Sequence, residues 1–125
     1  MSTLKVNTIQ NTSGGSSSTP DQIANGRAKV WANIDGVDTV GINDSFNVSS
    51  VTDEGTGQYR VNFSITMANT NFAAVNGGAS RNTTGSYDTF ITTNDFTTTS
   101  LYLMSAIPSG RYDADPAIIA VFGDV

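Results

Sequence analysis

The stretch Ser45-Phe46-Asn47-Val48-Ser49-Ser50-Val51-Thr52-Asp53-Glu54-Gly55-Thr56-Gly57-Gln58-Tyr59-Arg60-Val61-Asn62-Phe63-Ser64-Ile65 decides the fold class. In its second half, from Gln58 to Ile65, every odd position is apolar and every even position polar. A period of two places alternate side chains on opposite faces of a strand, one toward a core and one toward water. Ser45-Phe46-Asn47-Val48-Ser49 alternates in the same way, and the Gly-containing run Asp53–Gly57 lies between the two halves. Residues 45–65 therefore predict a β-hairpin with a glycine-rich turn.

Working outward, further strands are expected at 28–34, 39–42, 72–75, 87–92, 99–107 and 117–122. Turn chemistry separates them at Asp35-Gly36, Asn76-Gly77-Gly78, Asn94-Asp95 and Pro108-Ser109-Gly110. Only Pro20-Asp21-Gln22-Ile23-Ala24, stopped by Asn25-Gly26, reads as helix, for about one turn. Many short strands with turns between them predict an all-β, jelly-roll-like β-sandwich knob. It would span residues 27–125, behind an extended N-terminal arm of residues 1–26.

Composition excludes several functions. The chain of 125 residues has room for one core-bearing domain. It has no Cys and no His, so disulfides, thiolate metal sites and imidazole general bases do not arise. Net charge is −5, and the six basic residues (Lys5, Arg27, Lys29, Arg60, Arg81, Arg111) are scattered, which argues against nucleic acid as a partner. No apolar run approaches the roughly 20 residues of a membrane span. The opening Met1-Ser2-Thr3-Leu4-Lys5 lacks the apolar core of a secretion signal, so synthesis in a cytoplasm is expected.

The arm sets Leu4, Val6 and Ile9 in a polar stretch followed by a Gly/Ser run from Asn11 to Pro20. It reads either as a disordered tail or as a segment that orders against a larger assembly, with Lys5–Ile9 adding a strand to a neighbour's sheet. In Ala28–Ile34 the inward set would be Ala28, Val30, Ala32 and Ile34, which puts Trp31 on the outer face with Lys29 and Asn33. Trp31 is then an interface anchor, or a core aromatic if the register is shifted by one. Leu101–Met104 and Ala117–Phe122 are apolar on both faces. A lone sandwich leaves one face of each sheet to water, so Tyr102, Met104, Ile118 and Phe122 join Trp31 as candidates for contact between subunits.

Two loops combine aromatic and short polar side chains suited to a sugar. Their candidate residues are Arg81, Asn82, Tyr87 and Asp88, then Asn94 and Phe96. Tyr112-Asp113-Ala114-Asp115 offers two alternate carboxylates, but too few ligands for a calcium loop. The remaining acids sit in turn-like contexts, so no catalytic residue, cofactor or metal is assigned, and no enzymatic activity is expected.

The blocks Gly26–Ile34, Ile42–Phe63, Met67–Val75 and Ala117–Gly123, preceded by Leu4-Lys5-Val6-Asn7-Thr8-Ile9-Gln10-Asn11, together resemble domains of bacteriophage tail fibres, often from phages of marine bacteria and cyanobacteria. The resemblance covers nearly the whole chain apart from about 77–98. It implies a virion structural protein on the particle surface, made in the bacterial host, that assembles as a homotrimer. It further implies contacts with other virion proteins of tail, baseplate or capsid, and attachment to a host surface, where the two loops above would meet a glycan. A typical fibre chain is longer and carries a shaft. A short fibre or knob is accordingly the first expectation, a capsid decoration or head fibre the alternative, and a glycan-degrading enzyme the least favoured.

Overall fold

The computed structural model describes residues 1–80 and 90–125. The expected hairpin is present as strands β3 (Val48–Gly55) and β4 (Gln58–Phe63). The other elements are α1 (Pro20–Gly26), β1 (Val30–Asp35), β2 (Gly41–Phe46), β5 (Ala73–Ala79), β6 (Phe90–Thr97), β7 (Ser100–Ile107), the short β8 (Gly110–Arg111) and β9 (Ala117–Phe122). They form an all-β sandwich of two antiparallel sheets. One has the order β2-β1-β9-β5, the other β3-β4-β7-β6 with β8 on β7. Eight long strands in two layers match the jelly-roll-like expectation in layer and strand count. The chain forms the hairpins β1-β2, in the first sheet, and β3-β4 and β6-β7, in the second, and β9 returns to lie between β1 and β5.

The core lies between the sheets and is filled by the alternate residues that the periodicity selects. Val30, Ala32 and Ile34 of β1, Tyr59, Val61 and Phe63 of β4, Leu101 and Leu103 of β7, and Ala117, Ile119 and Val121 of β9 are all buried. Phe63, Phe72 and Phe96 continue this packing edge to face, with ring centres 6.0 and 5.3 Å apart.

Three local expectations are corrected. Ser45–Ser49 is not one strand: the chain bends at Asn47, whose φ of 58° is left-handed, and passes from the first sheet to the second. Asparagine is among the few residues that adopt that conformation readily, and here its Nδ2 donates to the carbonyl of the sequence-distant Lys29 at 2.7 Å, fixing the corner. Asn76-Gly77-Gly78 is not a turn but an irregularity inside β5, held by pairing with β9. Asn94-Asp95 likewise lies within β6, where the register against β7 shifts between Asn94 and Thr97.

The strands give the sandwich two distinct ends. At one end α1 leads into β1. Thr19 caps this helix, its hydroxyl accepting from the Gln22 amide at 3.2 Å while Gln22 Oε1 accepts from the Thr19 amide at 2.9 Å. Lys29 was expected on the outer face but is buried, its ammonium donating to the Ala24 carbonyl near the helix C-terminus.

The opposite end is tied by polar bonds between distant segments. Gly57 N donates to Asp113 Oδ1 at 2.7 Å, Ser105 Oγ to the Tyr112 carbonyl at 2.6 Å, and Ala114 N to the Tyr59 hydroxyl at 3.1 Å. Gly57 has a φ of +63°, and a Cβ there would sit 2.5 Å from the Tyr112 carbonyl oxygen. Only glycine fits that crossing.

Candidate functional site

The arm carries no long strand of its own. Ile9 and Ser18 form one isolated bridge, with reciprocal amide-to-carbonyl bonds of 2.8 Å. Asn11 organises the intervening turn, its Oδ1 accepting from Gly15 N at 2.8 Å. The expected strand Lys5–Ile9 is thus unpaired except at its last residue. Folding back of α1 opposes Pro20, Ile23 and Ala24 to Leu4, Val6 and Ile9 across an open, mostly apolar cleft of about 600 Å³. Leu4 is 81% exposed, Ile9 51% and Val6 38%. Together they form an exposed apolar patch beside the cleft.

The five residues expected at a subunit contact divide between the two outer faces of the sandwich. In the first sheet Trp31 pairs with Phe46 on one side and Ala120 on the other, and Ala120 pairs with Val75. Directly opposed residues in antiparallel strands share a face, so an apolar row, Phe46–Trp31–Ala120–Val75, crosses all four strands. Ile118 and Phe122 flank Ala120 along β9 on that same face. Phe46 is 49% and Val75 53% exposed, whereas Trp31, Ile118 and Phe122 are half-buried. The register with Trp31 outside the core is therefore the correct one.

Tyr102 and Met104 lie on the outer face of the second sheet, in a polar setting. Arg60 forms ion pairs of 2.9 Å with both Glu54 and Asp95, and its guanidinium sits 5.7 Å from the Tyr102 ring centre. The Tyr102 hydroxyl donates to Gln58, and Asn62 Nδ2 donates to Ser50 and Thr52 hydroxyls at 3.1 Å. Met104 Sδ accepts from Arg111 Nε at 3.0 Å. One flat contact cannot hold Tyr102 and Met104 together with Trp31, Ile118 and Phe122.

The sugar-binding candidates also separate. Arg81, Asn82, Tyr87 and Asp88 lie outside the described residues. Asn94 is exposed on β6, opposite Tyr102. Phe96, 37% exposed, lies on β6 near the arm end and packs edge to face on Phe72, so it is not in a loop at the far end. The chain enters and leaves residues 81–89 through Ser80 and Phe90. Both sit at the end remote from the arm, beside Pro116 and Ala106 respectively.

Asp113 and Asp115 do not converge. One accepts from Gly57 N, the other from Asn43 Nδ2 at 3.1 Å. Among the described residues no cluster of three or more acidic side chains is placed to hold a metal ion. Comparison with protein-family models, with curated protein sequences and with solved structures finds no match to the chain.

Proposed function

We propose that this chain is a structural and attachment module of a bacteriophage particle, a short tail fibre or knob without catalytic activity. The arm fixes it to other virion proteins, and the β-sandwich, as a homotrimer, presents its far end to a host-surface glycan. The observation that supports this reading is the polarity of the sandwich. The arm, with its exposed Leu4, Val6 and Ile9, joins one end. Residues 36–40 and 108–116, with both attachments of residues 81–89, occupy the other. A module built in this way separates gripping from presenting by the length of its strands. Three copies raise the effective concentration of sites that are individually weak.

The experiment is to locate the protein on intact particles, by labelled antibody or averaged electron images, and to delete it. Signal confined to the tail, with particles that assemble but fail to adsorb, is the expected result. Signal spread over the shell, with fragile capsids, would replace this reading with a capsid decoration.

A further inference from the structure

We infer that the cleft between the arm and α1 binds an acidic, extended segment of a different protein, an inference that rests on the anchoring part of the proposal above and names the chemistry of what the arm grips. The cleft, of about 600 Å³, has apolar walls on both sides. Its two charged lining residues, Lys5 and Arg27, are both cations. No acid lines it, although the chain holds eleven acidic residues against six basic ones.

Neither cation is neutralised within the chain. Among the described residues the ion pairs are those of Arg60 with Glu54 and Asp95, and Lys5 and Arg27 take part in no hydrogen bond. The neighbouring Lys29 differs, its ammonium being spent on the Ala24 carbonyl. The cleft is thus an electropositive mouth on an acidic molecule, and charge complementarity selects a carboxylate-bearing occupant.

The backbone makes that occupant a polypeptide. From Leu4 to Thr8 no amide or carbonyl has a hydrogen-bond partner among the described residues, and pairing begins only at the bridge of Ile9 with Ser18. An extended chain laid beside this run supplies amides and carbonyls in ladder order. Its alternate apolar side chains fill the cleft, and its carboxylates meet Lys5 and Arg27. A lipid surface matches the apolar and basic groups but leaves the ladder empty. A second copy adds like net charge, −5 against −5.

The free run from Leu4 to Thr8, at about 3.4 Å per residue, spans roughly 17 Å, so the gripped segment is short. Its two exposed cations make the contact weaken as salt is added. Several copies on one particle offset the modest strength of each contact.

The test is fluorescence anisotropy, titrating the whole chain into labelled peptides about eight residues long. One alternates Glu with Val, the second alternates Lys with Val, and the third is the Glu–Val peptide N-methylated along its backbone. The variants are Lys5→Glu, Arg27→Glu, and Arg111→Glu, which makes the same charge change at the far end. The Glu–Val peptide is expected to bind at least tenfold more tightly than the other two, and less tightly at high salt. Lys5→Glu and Arg27→Glu should each weaken it at least tenfold, and Arg111→Glu by less than twofold. Circular dichroism verifies folding; if Arg27→Glu does not fold, Lys5→Glu in the exposed arm decides.

Equal binding of the Glu–Val and Lys–Val peptides, or binding of neither, overturns the inference. So does an N-methylated peptide that binds as well as its parent. Phosphatidylglycerol vesicles that displace the Glu–Val peptide would assign the cleft to a lipid surface instead. A chain located on the particle that binds no acidic peptide overturns the inference and leaves the anchoring role standing. Selective binding of the Glu–Val peptide by a chain absent from intact particles supports the cleft and overturns that role.

Discussion

The two outer faces of this sandwich are built on one core by the same alternation, yet they end in opposite chemistry. On the β3-β4-β7-β6 face, side chains that meet across strands satisfy one another: Arg60 with Glu54 and Asp95, Tyr102 with Gln58, Asn62 with Ser50 and Thr52. On the β2-β1-β9-β5 face, Phe46, Trp31, Ala120 and Val75 meet across strands and leave apolar surface in water. Inward positions are filled because the sandwich needs a core. Outward positions are free to specialise, and here one face is largely a polar network, with Phe90 exposed at its edge, while an apolar row crosses the other. An outward apolar row is therefore more informative about partners than any buried residue.

The comparison can be tested by substitution, starting where the effect is largest. Leu101→Ala, on the inner face of β7, is expected to cost about 2–5 kcal/mol in denaturant unfolding, because it opens a cavity between the sheets. Tyr102→Ala, its outward neighbour, should cost about 1 kcal/mol. Equal losses would mean that Tyr102 is structural to the core.

Tyr59→Phe comes next, at about 1–3 kcal/mol, since it leaves the Ala114 amide without its acceptor. Burial pushes the Tyr59 phenol above its ordinary 10.0, opposed in part by its hydrogen bonds to Ala114 and Ser105. The folded state thus favours the neutral phenol. That contribution is complete below pH 10 and is lost as pH rises from there toward the folded value. Melting temperatures measured between pH 8 and 11 should fall more steeply for the wild type than for Tyr59→Phe.

Arg60→Ala removes both ion pairs from the polar face and should lower the melting temperature slightly at low salt and less at high salt. A loss independent of salt would show that Arg60 acts by packing on Tyr102. Smallest of all, Val75→Thr should change monomer stability by no more than about 0.5 kcal/mol. A larger loss would mean that Val75 supports its own sheet and is not merely exposed on it.

Much of this architecture was legible in the residues. The hairpin follows from alternation, the limits of β9 from a continuous apolar run between Pro116 and Gly123, and the outward position of Trp31 is the register that alternation in Ala28–Ile34 favours. The corner at Asn47 was not legible, since Ser45–Ser49 alternates straight through it and the bend depends on a bond to Lys29, which is remote in sequence. Asn76-Gly77-Gly78 has the composition of a turn, but its conformation is set by β9, about forty residues later in the chain. That the five interface candidates divide between two faces was not legible for a related reason. Tyr102 belongs to an apolar-looking run, but its surroundings come from Arg60 and Asn94 on strands that only the fold brings beside it.

The polarity of the sandwich also has a mechanical side. β1 receives the arm and lies between β2 and β9, hydrogen-bonded on both edges. A load applied between the arm and the far end runs along β1, while the bonds that hold it lie across the strand. Such a load shears the whole ladder at once instead of unzipping it bond by bond. The domain is thereby strongest along its strands, in the direction of a load between the arm and the far end.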